Sequence, residues 1–215
     1  MNKTEKIYKK LLDDILKGRF YQGQRLIEKE LIGLYKISKT PLREALIRLE
    51  RVGLIQKNVN RGFLVKPILR KDTEEIYELR EIIDGLSVRK ITENITEEKI
   101  QKIEKIIRNM ELCIGDKKTD KYIEYDKYLH SVLNKLSENK RLIEIMQNLN
   151  YQISMLLKTS IKLPKRGINV SFSEHKMIFE AILSKDPIEA EEVAKKHIRK
   201  TKKAVLEHFD NLNFK

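Results

Sequence analysis

Apolar residues recur at every third or fourth position along most of this 215-residue chain, which is the period of an amphipathic α-helix. Near the N-terminus this period predicts three helices, at about 3–17, 28–35 and 39–52. Gly18 and Gly53 stand where the first and third of these helices are expected to end, because glycine adopts the left-handed conformation of a helix C-terminus without strain. The chain is therefore predicted to be mainly α-helical.

The helical period is interrupted once, directly after the third helix. Leu54–Lys57 and Phe63–Val65 are short strand candidates, and the polar segment Asn58–Gly62 between them has the composition of a hairpin turn. Three helices followed by a β-hairpin is the element order of a winged helix-turn-helix domain. Lys66–Pro67 is the predicted linker, since proline favours an extended residue before it. We therefore place the first domain at residues 1–67.

The remainder of the chain carries the helical period almost without interruption. Six helices are predicted, near residues 72–91, 96–114, 119–136, 139–160, 172–184 and 187–210. The last of them has Asp186 as a capping residue and Pro187 in its first turn. Helices joined by short connections pack as a bundle, so residues 72–210 are predicted to form an all-helical second domain.

The positive charge of the chain is concentrated in its first third. Of a net charge of +13, residues 1–70 contribute 17 Lys and Arg against 7 Asp and Glu, whereas residues 71–215 hold 28 against 25. A basic N-terminal domain is typical of proteins that bind nucleic acid, because the phosphate backbone attracts cations. The asymmetry predicts nucleic acid as the partner of the first domain and a different role for the second.

Composition and the N-terminal residues exclude several other classes of protein. The chain has one cysteine, Cys113, which excludes an intrachain disulfide framework and a cysteine-rich zinc site. No run approaches the roughly 18 apolar residues of a membrane span, so no membrane partner is expected. The first residues are charged and lack the apolar run of a signal peptide, so we expect a cytoplasmic protein.

The predicted helix at 39–52 has two chemically different faces. One face is apolar and can pack on the preceding helix: Leu42, Ala45, Leu46 and Leu49. The N-terminal end and the other face are polar: Ser38, Lys39, Thr40 and Arg43. A DNA-recognition helix needs this arrangement, since its first turns enter the major groove, where Arg and Lys donate to guanine. Taken alone, the segment is also compatible with a solvated basic helix face.

The second predicted domain contains a sparse set of metal-ligating side chains. Asp126 and His130 stand four residues apart and project from one helix face, while His175 and His197 lie on two further helices. Three imidazoles and one carboxylate could supply four ligands to a divalent metal ion in a bundle core. Individually, each is also compatible with a surface pair or a packing histidine. His208 follows His197 by 11 residues, about 16 Å along the helix, too far for the same ion.

A longer pattern extends over residues 19–67. It comprises Gly23, Arg25-Leu26, Glu28–Leu31, Ser38–Leu46, Leu49, Gly53-Leu54 and Arg61-Gly62. This pattern resembles the winged-helix domain of GntR-type transcription regulators. The resemblance implies a set of DNA-contacting residues: Lys29, Ser38, Lys39, Thr40 and Arg43, with Arg61 and Gly62 of the wing tip reaching the minor groove. The family usually has Arg at the positions of Lys29 and Lys39, and Lys lacks the bidentate fork, so base readout is assigned to Arg43.

Residues 72–210 show a second, looser pattern. It comprises Leu79-Arg80, Asp126–His130, Ser137–Asn139, Glu174-His175 and His197. This pattern resembles the FCD effector-binding domain of FadR-like members of the GntR family. The resemblance implies that Asp126, His130, His175 and His197 bind a divalent metal ion (Zn, Ni or Mn-like), and that Arg80 helps to hold an anionic ligand.

The charge of such a metal site indicates its ligand. A divalent ion with three neutral imidazoles and one carboxylate has a net charge near +1, and Arg80 adds to it. A small carboxylate is therefore the expected effector. A metal ion that only holds the helices together is the alternative.

Together these observations predict a ligand-responsive DNA-binding transcription regulator, a repressor rather than an activator. It is expected to bind a palindromic operator as a homodimer, because one recognition helix reads only a few base pairs. We expect no enzyme, since the sequence has no general base beside the metal-ligating residues, no glycine-rich phosphate loop and no nucleophile motif. A metal-dependent hydrolase and a nonspecific nucleoid-type DNA binder are the two alternatives.

Overall fold

A computed structural model of the chain describes a defined set of residues: 2–58, 62–159 and 167–212. These residues fall into two compact units. The first unit comprises Met1–Thr73 together with Asn148–Lys162, and the second comprises Glu74–Gln147 together with Leu163–Lys215. Each unit is described below by itself.

The first unit is not continuous in sequence, because it includes residues 148–162. The sequence pattern had assigned this segment to the interior of the second domain. The domain ranges 1–67 and 72–210 therefore stay a prediction. The first boundary between the two compact units lies between residues 73 and 74.

Three helices open the first unit: α1 (Lys3–Leu16), α2 (Glu28–Tyr35) and α3 (Lys39–Arg51). Helix α1 begins where the Asn2 side chain accepts a hydrogen bond of 2.8 Å from the amide of Glu5, which satisfies one of the free donors of the first turn. Helix α2 ends at Lys36, which takes the left-handed conformation with φ of 50°. All three helices lie within a residue or two of the predicted bounds.

Three short strands form one antiparallel sheet in the order β1-β3-β2: β1 (Arg25–Leu26), β2 (Ile55–Asn58) and β3 (Gly62–Val65). Strands β2 and β3 are the predicted hairpin, with Asn58 opposite Gly62 at its tip. Strand β1 was not predicted, because two residues are too short to show the alternation of a strand. The winged helix-turn-helix fold of the N-terminal part is confirmed.

The core of the first unit lies between α1, α3 and the sheet. The side chains that fill it are apolar and nearly inaccessible to solvent: Ile7, Leu11, Ile15, Leu26, Leu31, Leu42, Ala45, Leu46, Leu49, Leu54, Ile55, Phe63 and Val65. At the margin of this core, Arg48 of α3 pairs with Glu5 of α1 at 2.8 Å and lies 4.0 Å from the centre of the Tyr8 ring. Apolar burial and the contacts of the Arg48 side chain therefore both hold α3 against α1.

The second unit is built from helices: α4 (Arg70–Glu93), α5 (Glu97–Gly115), α6 (Thr119–Leu136), α7 (Lys140–Thr159), α8 (Ile168–Leu183) and α9 (Pro187–Leu212). The first residues of α4 and the residues of α7 from 148 onward belong to the first unit. All six predicted helices are present, and the mainly α-helical fold class is confirmed. No helix in the described ranges has both the length and the apolar character needed to cross a membrane.

The helices of the second unit bury an apolar core that reaches from α4 to α9. Its members include Val88, Ile103, Met110, Leu129, Ile182 and Ala194. Two of these helices begin at a capping residue. Asp186, as predicted, accepts from the amide of Glu189, and Thr96, which was not predicted as a cap, accepts from the amide of Lys99. This core surrounds a small group of buried polar side chains.

The part of α7 that belongs to the first unit packs against the end of α3. The Gln152 side-chain nitrogen donates to the Val52 carbonyl oxygen at 3.2 Å. A Cβ atom placed on the neighbouring Gly53, whose φ is +75°, would come within 2.7 Å of that same nitrogen. Gly53 is therefore needed for two reasons, its backbone conformation and the approach of Gln152.

We expect Gly53→Ala to destabilise the protein more than Gly18→Ala does. Both glycines have φ of +75°, but among the described residues no atom lies within 4 Å of a Cβ placed on Gly18. Each substitution costs about 1–2 kcal/mol for the left-handed conformation, and Gly53→Ala also disrupts the Gln152 hydrogen bond, a further loss of about 1 kcal/mol. Urea unfolding of both variants measures the difference, and equal midpoints would show that Gln152 contributes nothing.

Candidate nucleic-acid interface and metal centre

The N-terminal end of α3 is a polar, solvent-exposed surface on a helix whose other face is buried. Ser38, Lys39, Thr40 and Arg43 are exposed, whereas Leu42, Ala45, Leu46 and Leu49 are completely buried. Ser38 is the residue before the helix, and its side chain makes no capping hydrogen bond. The hydroxyl of Ser38 and the amides of the first turn therefore face solvent, where an anion can reach them.

The other predicted DNA-contacting residues lie on two neighbouring elements. Lys29 is exposed on the first turn of α2. Gly62 opens strand β3 with φ of +78°, a conformation that other residues rarely adopt, so it serves the geometry of the hairpin. Arg61, the other predicted wing-tip residue, lies outside the described residues.

Arg43 forms an ion pair with Glu28 at the N-terminus of α2. Its Nε atom donates to both carboxylate oxygens, at 2.9 and 3.0 Å. The Arg43 side chain is still 55% exposed, and that of Glu28 is 24% exposed. Glu28 was not predicted from the sequence to contact a DNA-binding residue, although it stands next to Lys29 in the helix-turn-helix pattern. The contact between Glu28 and Arg43 depends on the packing of α2 beside α3, which the sequence alone does not show.

In the second unit, three imidazoles from three different helices meet in the interior. His130 of α6, His175 of α8 and His197 of α9 are 5%, 1% and 5% exposed. The Nε2 atoms of His130 and His175 are 3.4 Å apart. One ring nitrogen of each of the three lies within 4.8 Å of the others, so the three could hold a metal ion. The structure thus brings together three of the four side chains that the resemblance assigned to metal binding.

The outer nitrogens of two of these rings face carboxylates. Nδ1 of His197 lies 2.8 Å from Oε2 of Glu174, and Nδ1 of His130 lies 3.4 Å from Oδ2 of Asp84. In a neutral imidazole each Nδ1 then carries the proton that the carboxylate accepts, and Nε2 keeps its lone pair. Carboxylate partners of this kind fix the ring orientation of metal-ligating histidines.

The third ring contacts a phenol and the predicted carboxylate ligand. Nδ1 of His175 lies 3.5 Å from the Tyr122 hydroxyl, and its Nε2 lies 3.4 Å from Oδ1 of Asp126. The Asp126 side chain is 29% exposed, so it stands at the edge of the site rather than among the buried imidazoles. Asp126 is not part of the group whose ligand atoms all lie within 4.8 Å of one another.

The three imidazole nitrogens are chemically suited to hold a divalent ion, whereas Asp126 lies outside their group. Nitrogen ligands that bind zinc at about 2.0–2.1 Å lie about 3.4 Å apart in a tetrahedral site. The Nε2 atoms of His130 and His175 have this separation, 3.4 Å. Asp126 lies 3.4 Å from His175 but is not within 4.8 Å of all three imidazoles. Converging lone pairs repel one another in a buried site unless a proton or a metal ion lies between them.

Arg80, the predicted anion-binding residue, is buried and already has a carboxylate partner. Its Nε atom donates to Oδ2 of Asp84 at 3.1 Å, and both side chains are less than 10% exposed. Asn134 donates to the other oxygen of Asp84 at 3.2 Å and accepts from Ser87 at 2.6 Å. Arg80 is thereby linked to His130 through Asp84.

This network determines the charge states of its members. Burial alone would raise the pKa of the Asp84 carboxyl, but hydrogen bonds from His130 and Asn134 and the charge of Arg80 outweigh it and hold the pKa below its usual value. Burial lowers the pKa of Arg80, and the charge of Asp84 reverses that effect, so its pKa is raised. Asp84 and Arg80 therefore form a buried pair of opposite charges.

A small cavity lies beside the imidazoles. It has a volume of about 10 Å³, and its lining is mainly apolar: Asp84, Val88, His130, Leu133, Ile178, Ala194, His197 and Ile198. Such a volume accommodates about one water molecule. An organic acid needs more space, so its entry into this cavity would require side chains to move.

Several residues around the site were not singled out from the sequence. Asp84 and Asn134 each stand four residues after a predicted site residue, Arg80 and His130, and this spacing on a helix was a usable signal. Tyr122 has the same spacing, four residues before Asp126, and Glu174 stands next to His175. Their contacts with His175 and His197, however, depend on how separate helices pack.

We expect Arg80→Met to destabilise the protein by about 3–5 kcal/mol, because it leaves Asp84 as an uncompensated buried charge. Arg108→Met is the matched control: Arg108 also pairs with a carboxylate four residues away, Glu104 at 2.7 Å, but its side chain is 71% exposed. Exposed ion pairs contribute little to stability. Urea unfolding at neutral pH compares the two, and similar losses would contradict the buried-pair assignment.

The two parts of the chain match two sequence families. Residues 3–65 match the bacterial regulatory proteins of the gntR family, and residues 75–200 match the FCD domain. The HTH-type transcriptional regulator YdhC of Bacillus subtilis (strain 168) is 28% identical over 205 residues, which cover 95% of this chain and 86% of YdhC. The HTH-type transcriptional repressor RspR of Escherichia coli (strain K12) is 25% identical over 205 residues, 94% of this chain and 88% of RspR.

Solved structures support the same fold. A transcriptional regulator GntR from Rhodococcus sp. RHA1 superposes with a TM-score of 0.78 at 19% sequence identity, covering 96% of this chain and 99% of that one. Proteins of this family are transcription regulators and not enzymes, so the hydrolase alternative is dropped. The chain belongs to the GntR family of DNA-binding bacterial transcription regulators and carries the FCD domain as its effector domain.

Proposed function

We propose that this regulator is a homodimeric repressor that binds a palindromic operator and responds to a small organic acid in a metal-containing FCD domain. The observation that carries the DNA-binding part is the exposed polar N-terminal end of α3 on a helix whose opposite face is fully buried. The three converging imidazoles carry the metal-binding part.

The first turns of α3 are proposed to enter the major groove. Arg43 is the candidate for base readout, since a guanidinium can donate two parallel hydrogen bonds to O6 and N7 of guanine. Lys29 and Lys39 are point charges suited to phosphate, and the hydroxyls of Ser38 and Thr40 supply further phosphate contacts. The wing, with Arg61 and Gly62 at its tip, is proposed to reach the minor groove.

A homodimer is proposed because one α3 reads only a few base pairs, whereas two copies related by a two-fold axis read two half-sites. Repression is favoured over activation because RspR, a relative that aligns with 94% of this chain, is named a transcriptional repressor.

His130, His175 and His197 are proposed to bind a divalent ion through Nε2, with Asp126 as the fourth ligand. Glu174 and Asp84 hold two of the rings by their Nδ1 atoms. When bound, the ion supplies positive charge and an open position for a carboxylate oxygen.

Charge balance favours a small carboxylate as the effector. Asp84 offsets Arg80, and Glu174 is paired with Lys200 at 3.1 Å, so the ion with three neutral imidazoles and Asp126 retains a net charge near +1. Because the cavity beside the imidazoles holds about 10 Å³, effector binding would displace side chains around it. A coupling of about 1–3 kcal/mol between such a rearrangement and DNA binding changes operator affinity about 5- to 150-fold.

We expect Arg43→Ala to abolish the preference for operator DNA over random duplex, since it removes the base-reading fork. Arg51→Ala is the matched control, because Arg51 is an exposed arginine at the opposite end of α3 and the variant loses the same charge. Duplexes selected by the native protein from a random library provide the operator, and affinities are measured at one fixed salt concentration. Retained preference in Arg43→Ala would contradict the assignment, and a native protein without preference would favour the nonspecific binder.

We expect Zn²⁺ to raise the unfolding temperature of the chelator-treated protein, because an ion bound only by the folded state at 100 times its Kd adds about 2.7 kcal/mol. His175→Ala should lose this effect and Glu174→Gln should weaken binding about 10- to 100-fold. His208→Ala is the control, a histidine about 16 Å from His197 by helical rise. Equal Zn²⁺ affinity in His175→Ala and His208→Ala would overturn the metal proposal and leave the DNA proposal intact.

A further inference from the structure

We propose that Glu28 is a positioning residue for DNA recognition: its carboxylate holds Arg43 so that the terminal nitrogens of the guanidinium face the bases. This inference rests on the proposed function of α3 and adds a residue outside the DNA-contacting set. It makes sequence discrimination depend on an acidic side chain that is not expected to touch DNA.

The geometry of the pair is specific. Both oxygens of Glu28 accept from one atom, Nε of Arg43, at 2.9 and 3.0 Å. Glu28 is the first residue of α2, where its negative charge is favourable beside the positive end of the helix dipole. Helices α2 and α3 contact each other, and Leu31 and Leu46 are both buried, so the carboxylate is supported by a fixed backbone.

This contact determines which edge of the guanidinium remains available. Arginine can read guanine with two of its N–H groups at a time, and Nε is engaged by Glu28. Within the part of the chain that the structure describes, neither terminal nitrogen of Arg43 has a hydrogen-bond or ion-pair partner. The fork left for a base is therefore formed by Nη1 and Nη2, and the side chain is ordered before DNA arrives.

Preorganisation of this kind has a measurable effect. Immobilising a long side chain on binding costs about 0.5–1.5 kcal/mol, so ordering Arg43 beforehand improves discrimination about 2- to 12-fold. The carboxylate also places one negative charge near the phosphates, which weakens binding to DNA of any sequence. Glu28 thus lowers nonspecific affinity while it sharpens readout, a combination that favours specificity over affinity.

The test compares Glu28→Gln with a control that removes the same charge from the same helix. Glu30 is exposed on the first turn of α2, and no ion pair of it is found among the described residues. Glu28→Asp is the third variant: it keeps the charge but shortens the side chain by one methylene, so it cannot reach Nε at hydrogen-bond distance. Circular dichroism and thermal unfolding establish that each variant is folded.

The measurement is the set of preferred base pairs that each variant selects from a random duplex library, together with its affinity for random duplex at fixed salt. Arg43→Ala identifies the base pairs that Arg43 reads. We expect Glu28→Asp to lose about 2- to 12-fold of the preference at those base pairs only. Glu28→Gln should lose less, because its amide oxygen can still accept one hydrogen bond from Nε, without the charge. Random-duplex affinity should rise in Glu28→Gln and Glu30→Gln alike but stay unchanged in Glu28→Asp.

Two results would overturn the inference. One is a Glu28→Asp variant that retains the native preference at the base pairs read by Arg43. The other is a uniform loss of preference at all positions, which indicates a structural role for Glu28. If Arg43→Ala itself keeps the native preference, the proposed role of Arg43 fails first, and this outcome is distinguishable from a failure confined to Glu28.

Discussion

The burial of one face of α3 against α1 is the contact from which the chemistry of the first unit follows. Leu42, Ala45, Leu46 and Leu49 are completely inaccessible to solvent, and each of the three leucines contributes about 1.5–3 kcal/mol when fully buried. Because successive residues of a helix are 100° apart, a rotation of α3 by one position would bring charged residues into the core. The direction in which Arg43 projects is therefore determined by apolar residues that never meet DNA. Arg48, paired with Glu5 and lying over Tyr8, limits the same rotation from the side.

In the second unit, by contrast, polar side chains are buried inside the apolar core, and each buried charge needs a partner of opposite charge. Arg80 and Asp84 neutralise each other, and Asn134 donates to Asp84 while it accepts from Ser87. Glu174 contacts both His197 and Lys200. Burying such groups without partners costs several kcal/mol each. Because each buried polar group needs a partner, the carboxylates that satisfy the imidazole Nδ1 atoms also orient the rings. The proposed metal-binding nitrogens are therefore placed before any ion binds.

The sequence predicted the local features of this fold and missed those that depend on packing. The helices were predictable because each carries its own apolar period, and the hairpin because of the turn between Asn58 and Gly62. Strand β1 was not, since two residues show no alternation and pair only where β3 offers an edge. The resemblance assigned His130, His175 and His197 to one site, but the contacts of Glu174 and Tyr122 with these rings depend on the relative placement of α6, α8 and α9. In the same way, the contact of Glu28 with Arg43 joins residues 15 positions apart and has no local signature.

The inclusion of residues 148–162 in the first unit has a consequence for the modularity of such regulators. Exchanging the N-terminal domain with that of a relative at the linker near residue 67 would transfer α1 to β3 but leave Gln152 behind, and the hydrogen bond to the Val52 carbonyl would depend on a foreign partner. A chimera that keeps both parts together, joined at two places in the sequence instead of one, respects the compact unit. Transfer of the DNA-binding domain by a single fusion point is therefore constrained by residues 148–162, which begin about 80 residues after the apparent end of that domain.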